Sequence, residues 1–297
     1  MQAQLPESLE ALESRMIAWH AEIYALLESR DKDAGKIDRQ IDLYRRGVKH
    51  YDEMVRKHND AKLKPLLPWR VRSTVVPCTP VDLGARVTDP TSKHSQGLYR
   101  GKTKFAKLVH NLLTREECED LRSKAESVGH RTLVKNISAS SKLPKRNNVR
   151  CVIHNRALAD LLWPRIAPLV PATFLGGEGE YRVLGLNPCF RFCKYEVGQY
   201  FAAHTDDVHQ KIGPGGLEHS FITVVFYLNE GFTNGQLRFL KRRGRDGQAE
   251  EGDVRLSLDP RMGTVALFEH SLLHEGTAPG NQPKYLVRTD VVYVRKI

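Results

Sequence analysis

The sequence predicts an α+β protein, in which a mainly β domain of sandwich or jelly-roll type follows a helical appendage. Three observations lead there. Runs of β-branched and aromatic residues recur between residues 187 and 294, separated by turns rich in glycine and asparagine. Apolar residues recur at helical spacing from Glu7 to about Lys62, a stretch poor in glycine and proline. His204 and Asp206 stand two apart in an extended segment, and His274 follows far downstream.

The elements follow in chain order. Leu9, Leu12, Met16, Ile17, Ile23, Leu26 and Leu27, then Ile37, Ile41, Leu43 and Tyr44, fit two amphipathic helices broken near Asp31-Lys32-Asp33-Ala34-Gly35. This gives a hairpin-like appendage over residues 1–63. Pro65, Pro68, Pro77 and Pro80 mark residues 64–103 as an extended connector, with Trp69 as an anchor. The main domain takes residues 104–297. Within it, Asn187 to Tyr195 alternates residue classes as a half-buried strand does, and Glu196 to Gln199 is a turn leading to Tyr200 to His204. Asp207 to Ser220, with Gly213-Pro214-Gly215-Gly216, is read as a glycine-containing loop placed to act as a lid. Phe221 to Asn229 is a strand, ended by a turn with Gly231 and Asn234-Gly235, and Gln236 to Leu240 reads as its hairpin partner. Lys241 to Gly247 is a solvated extension. Gly263 to Phe268, a loop to His274, and Lys284 to Val294 complete the strand pattern.

Composition narrows the class. A chain of 297 residues accommodates one large domain plus an appendage. No apolar stretch is long enough for a signal peptide or a membrane span. The five cysteines (78, 118, 151, 189 and 193) form no framework of close pairs, so reduced thiols and an intracellular, cytoplasmic or nuclear, setting are expected. A net charge of +11 favours association with anions such as a nucleic-acid backbone, but it speaks to association and not to identity.

Side chains two apart on a strand project to the same face, so His204 and Asp206 offer adjacent ligands while Thr205 points elsewhere. With His274 they make two imidazoles and a carboxylate, the donor set of a mononuclear iron(II) site with open positions. His270, four residues before His274, is the rival for the third place. Asp207 points to the other face, and His209 and His219 read as loop residues.

These motifs, taken in order, carry a resemblance. Phe105 to Cys118, the stretch from Tyr195 to Asp206, Tyr227-Leu228-Asn229, and His274-Glu275-Gly276 with Lys284-Tyr285 resemble an iron(II)/2-oxoglutarate-dependent dioxygenase of the prolyl 4-hydroxylase-like group, over roughly two thirds of the chain. The resemblance implies a double-stranded β-helix core with flanking helices. It also implies hydroxylation of an unactivated C–H bond with release of succinate and CO2, using Fe(II), 2-oxoglutarate and O2, with ascorbate in support. The Glu-Gly after His274 favours it over His270 as the distal ligand. The far carboxylate of 2-oxoglutarate needs a cation, and Lys284 and Arg288, four apart on one strand face, are the candidates. Tyr195 matches the tyrosine that donates to the co-substrate, and Tyr227 or Thr223 are further donors.

The resemblance leaves the primary substrate open. A peptidyl prolyl or other amino-acid-type substrate is the first choice. The alternatives are oxidative demethylation of alkylated nucleic acid, which Arg288 and Arg295 on the last strand imitate, small-molecule hydroxylation in a biosynthetic pathway, and a non-catalytic jelly-roll binding protein. Arg191 shares a face with Tyr195 and is a candidate substrate contact, as are Asn187 and Arg150, the latter within Arg146-Asn147-Asn148-Val149-Arg150. Residues 7–62 are expected to serve a protein partner or self-association; no membrane partner is expected.

Overall fold

A computed structural model describes residues 39, 42, 46, 50, 69–73, 78–87, 103–129, 131–132, 146–242 and 249–296. The chain divides into two units, residues 68–208 with 220–293, and residues 1–67 with 209–219 and 294–297.

The first of these is built on β1 (Thr79–Asp82), the one-turn helix α1 (Gly84–Val87), β2 (Ala106–His110), α2 (Arg115–Val128), β3 (Arg131–Thr132), β4 (Val149–His154), α3 (Arg156–Ile166), β5 (Thr173–Gly176), β6 (Gly179–Leu186), β7 (Cys189–Tyr195) and β8 (Phe201–His204). After the hairpin β9 (Gln210–Gly213) and β10 (Gly216–Tyr227) come β11 (Leu237–Leu240), β12 (Val254–Leu258), β13 (Val265–Glu269), β14 (His274–Gly276) and β15 (Lys284–Arg295). The larger sheet runs β1-β2-β13-β10-β15-β7-β4-β3, with β6 on β15 and β5 on β6; the smaller runs β12-β11-β14-β8. Val225 and Tyr227 of β10 and Ala266 and Phe268 of β13 bury against Leu237 and Phe239 of β11 and Leu256 and Leu258 of β12. One apolar core between two antiparallel sheets is the jelly-roll arrangement.

Strand register decides what faces inward. Lys284 pairs with Tyr195, Leu286 with Cys193 and Arg288 with Arg191 across β15 and β7, and Arg150 pairs with Cys193 across β4 and β7. Alternation along β7 therefore turns Arg191, Cys193 and Tyr195 to one face, while Phe190 and Phe192 are buried on the other. The helices pack outside. Helix α2 starts with a capping box: Glu117 N–H donates to the Thr114 hydroxyl at 3.2 Å, and Thr114 N–H donates to the Glu117 carboxylate at 2.9 Å. The same carboxylate receives both arms of Arg165 from α3, at 2.8 and 2.7 Å, which ties the two helices together through a buried ion pair.

Two expectations change in this unit. Residues 237–240 do not return beside β10: β11 pairs with β12 and β14 in the other sheet. Asn234 and Gly235, at φ 56° and 75°, turn the chain across the barrel, with Asn234 bridged to Pro279. Part of the expected connector lies within the sheet, since Thr79–Asp82 pairs with Lys107–His110 along β2 and Trp69 is buried. Strands β4, β5, β6 and β12 and helix α3 carry too little periodicity in sequence to be read.

In the second unit, the expected glycine loop holds a hairpin: Gly213 pairs with Gly216, whose φ of 128° suits the tight reversal, and Lys211 lies 3.4 Å from Glu218. Of the appendage, Arg39, Asp42, Arg46 and His50 are helical, and Arg46 pairs with Asp42 one turn away at 3.0 Å. The rest of the expected helical hairpin lies outside the described residues, as do residues 243–247 of the Lys241–Gly247 extension. Among the described residues, no helix is long and apolar enough to cross a membrane, and all five cysteines are free thiols.

Candidate metal centre and its cavity

Strands β8 and β14 run antiparallel with His204 and His274 as direct partners, which sets their imidazoles side by side with ring centres 4.2 Å apart. Asp206 lies two residues beyond, its N–H donating to the His270 carbonyl at 3.0 Å. The ligand atoms of His204, Asp206 and His274 all lie within 4.8 Å of one another, and all three residues are buried. His204 Nε2 is 3.6 Å from one Asp206 oxygen and His274 Nε2 is 3.7 Å from the other.

The outer contacts fix the tautomers. His204 Nδ1 lies 2.8 Å from the Ala202 carbonyl, and His274 Nδ1 lies 2.8 Å from the Leu272 carbonyl. A carbonyl only accepts, so each Nδ1 carries the proton and each Nε2 lone pair points inward. Burial pushes the His274 pKa down to about 4, so this ring is neutral at neutral pH. Burial raises the Asp206 carboxyl, but His274, Arg288 and His204 together hold it well below the usual carboxylate range. Two imidazole lone pairs and a carboxylate thus face one another, all on buried side chains, an arrangement that repels itself until a cation sits between them. The donor set fits iron(II).

The surroundings hold this trio in place. Phe201 stacks on His204 at 3.5 Å and 17°, and Phe268 meets the His274 ring edge-on at 4.7 Å. The Thr223 hydroxyl donates to one Asp206 oxygen at 2.5 Å, and Arg288 reaches the other at 3.0 Å. Such contacts orient ligands and tune their basicity.

A cavity of about 650 Å3, counted to its open mouth, adjoins the trio. The sequence-nominated Lys284, Arg288, Tyr195, Tyr227, Thr223, Arg191 and Arg150 all line it. Lys284 is buried; its Nζ donates to the Gly235 carbonyl at 3.0 Å and the Thr277 carbonyl at 3.2 Å and lies 4.6 Å from the centre of the Tyr195 ring. Burial lowers its pKa to about 7. Arg288 already has two carboxylates, Asp206 at 3.0 Å and Asp290 at 3.3 Å. Burial raises the pKa of both Tyr195 and Tyr227, so both stay protonated donors.

Other candidates fall elsewhere. His270 stands apart from the trio, its Nε2 3.5 Å from Asp290, because the turn closed by Leu272 N–H to the Glu269 carbonyl at 3.0 Å separates it from His274. Asn187 does not line the cavity: its side chain folds back to accept Cys189 N–H at 3.0 Å and starts β7. Asp207 is exposed, as expected. Sequence reasoning gave no role to Phe201 or Gln236, which also line the cavity; Phe201 stands three residues from His204, so strand alternation gave no signal for it.

Residues 190–289 match the model of the 2OG-Fe(II) oxygenase superfamily. No curated protein matches the chain in sequence. Among solved structures, the viral collagen prolyl hydroxylase of Paramecium bursaria Chlorella virus-1, as its 2OG complex, is similar at 16% identity and a TM-score of 0.44, covering 67% of this chain and 100% of that one. A prolyl-4-hydroxylase from Pseudomonas putida is similar at 17% identity and 0.42, covering 65% and 94%. HygX from Streptomyces hygroscopicus, with nickel and 2-oxoglutarate bound, is similar at 12% identity and 0.42, covering 68% and 87%.

Proposed function

We propose that this chain, whose residues 190–289 match the 2OG-Fe(II) oxygenase superfamily, acts as an iron(II)- and 2-oxoglutarate-dependent oxygenase and hydroxylates an unactivated C–H bond of an amino-acid-type substrate, peptidyl proline first among them. The observation that carries the reading is the convergence of His204, Asp206 and His274, two inward lone pairs and one carboxylate within 4.8 Å. When bound, iron(II) supplies the activation of O2 that is coupled to decarboxylation of 2-oxoglutarate. The balance is complete: one oxygen atom enters the C–H bond as hydroxyl, the other ends in succinate, and CO2 leaves.

The remaining residues bind and orient. Lys284 takes the far carboxylate of 2-oxoglutarate. Among the described residues this buried ammonium meets the Gly235 and Thr277 carbonyls and the Tyr195 ring but no carboxylate, so a carboxylate would answer its charge. Arg288, with Asp206 and Asp290 as partners, orients the metal carboxylate instead. Tyr195, the cross-strand partner of Lys284, donates its hydroxyl to the co-substrate, and Tyr227 walls the same end.

The test is incubation of the full chain with iron(II), 2-oxoglutarate and a metabolite and peptide extract. Mass spectrometry is expected to show succinate together with a gain of one oxygen in an extract component, both absent in His274→Ala. Succinate equal in wild type and variant would overturn the reading.

A further inference from the structure

Four arginines line the cavity, and they are not alike. Arg288 and Arg191 share the buried Asp290, at 3.3 and 3.1 Å. Arg146 and Arg150 have no carboxylate within ion-pair distance among the described residues. Arg150 keeps its Nε buried with no hydrogen-bond partner. Burial and the neighbouring Arg146 lower its pKa, with Arg191 adding to the repulsion. Arg146 lies over the Phe201 ring at 5.2 Å, and Phe201 in turn stacks on His204. A bridge between Arg146 and Phe201 holds that backbone beside β8. Arg146 therefore sits on the metal side of the cavity, and Arg150 lines the same cavity close enough to repel it.

The local sequence offers them nothing. From Arg131 to Arg150 there are six basic residues (Arg131, Lys135, Lys142, Lys145, Arg146 and Arg150) and no Asp or Glu. A half-buried guanidinium left without an anion is costly, and repulsion from a second one adds to that. Position selects the class of anion. The pair lines a cavity of ligand size and not an open face, so it suits a compact terminal anion better than a phosphodiester chain running over a surface. The far carboxylate of 2-oxoglutarate already has Lys284, on the row of Tyr195, whereas Arg150 pairs with Cys193 one row along.

We infer that Arg146 and Arg150 form an anion subsite for the primary substrate, which carries a carboxylate or a phosphate group close to the carbon that is hydroxylated. This rests on the hydroxylase reading above and narrows its substrate to anionic small molecules and acidic peptides.

The experiment uses the full chain with iron(II) and 2-oxoglutarate. A metabolite and peptide extract is split on an anion exchanger at neutral pH, and each fraction is tested for succinate formation above the substrate-free rate. Stimulation is expected in the retained fraction. In Arg150→Gln and Arg146→Gln it falls about ten- to hundred-fold, the range for loss of a charge-assisted contact. Arg150→Lys recovers part of it, the KM for 2-oxoglutarate does not rise in step with the loss, and an unchanged thermal midpoint reports a folded protein. Phosphatase treatment of the retained fraction separates the sources: lost stimulation means phosphate, and persistent stimulation means carboxylate. Stimulation confined to the unretained fraction, or abolished by nuclease, overturns the inference and leaves the oxygenase intact. So does a KM for 2-oxoglutarate that rises in step with the loss in Arg150→Gln. Stimulation by neither fraction overturns both this inference and the hydroxylase reading.

Discussion

Replacing Lys284 by methionine separates what this side chain does for the fold from what it does for the co-substrate. Its pKa is lowered from 10.5 to about 7 by burial, a difference worth roughly 5 kcal/mol at about 1.4 kcal/mol per unit. Because the folded value is depressed, the charged form destabilises the native state. That penalty is fully present below pH 7, shrinks as pH rises from about 7, and is gone above the unfolded value of 10.5. Methionine removes the penalty but also two hydrogen bonds, to Gly235 and Thr277, each worth about 1 kcal/mol. The variant without co-substrate is therefore expected to be more stable at pH 6 to 7 by about 2–3 kcal/mol, a Tm higher by about 5 °C or more, with the gain shrinking toward pH 9. Its KM for 2-oxoglutarate moves the other way, up by about ten- to hundred-fold, because a charge-assisted contact is lost. In the wild-type enzyme the bound carboxylate restores the ammonium, so binding takes up a proton above pH 7. KM for 2-oxoglutarate then rises about tenfold per unit over that range and is flat below it. Thermal unfolding and initial rates of succinate formation between pH 6 and 9 measure both effects. A variant that is less stable at every pH and keeps the wild-type KM would refute the assignment of Lys284.

Other substitutions test the remaining parts. Asp206→Asn keeps the shape of the trio but removes its anion. Mn(II) or Fe(II) binding by the purified chain is expected to weaken by more than about 100-fold, the upper end for losing an outer contact, and wild-type metal affinity would contradict the ligand set. Thr223→Val removes the 2.5 Å hydrogen bond to Asp206 and should weaken metal binding by about 10- to 100-fold; an unchanged metal titration would show that the hydroxyl does not orient the ligand. Arg191→Leu is expected to raise the KM for the primary substrate more than that for 2-oxoglutarate, and equal changes would count against a substrate role. Glu117→Gln leaves the Arg165 guanidinium buried against a neutral partner. A loss of about 3–5 kcal/mol is expected, read from the midpoint of urea unfolding, and a change below 1 kcal/mol would mean that the α2–α3 clamp adds little.

The parts of this protein that were legible in its sequence are those governed by short-range rules. Period-two alternation placed Arg191 and Tyr195 on one face, and strand register then brought Lys284 opposite Tyr195 and Arg288 opposite Arg191. His204 and Asp206 were readable for the same reason, and His274 was favoured over His270 by its Glu-Gly neighbours. The turn at Asn234-Gly235 was also seen, but a turn signal does not say which sheet receives the next strand. Leu237 and Phe239 belong opposite β12 and β14, a choice made by burial in the shared core. Asn187 misled because strand residues were assumed to project into the cavity, whereas a short amide side chain at a strand start satisfies its own backbone first.

Charge balance connects the metal centre to the proposed substrate. Iron(II) and a 2-oxoglutarate dianion cancel one another. Asp206 and Asp290 offset Arg288 and Arg191, to which they are hydrogen-bonded or paired at 3.0 to 3.3 Å. Lys284 sheds its proton near pH 7 unless the co-substrate is present. With the dianion set against the iron, the Lys284 ammonium of the co-substrate-bound site is left over, and so is the positive charge of Arg146 and Arg150, half-buried and without a carboxylate partner among the described residues. An enclosed site with that residual charge attracts an anion and discriminates against a neutral analogue, which leaves both guanidinium groups desolvated and unanswered. The selectivity expected of this enzyme therefore comes from a mismatch of charge within one cavity, and not from the +11 excess of the whole chain, most of which acts on encounter and is screened by salt.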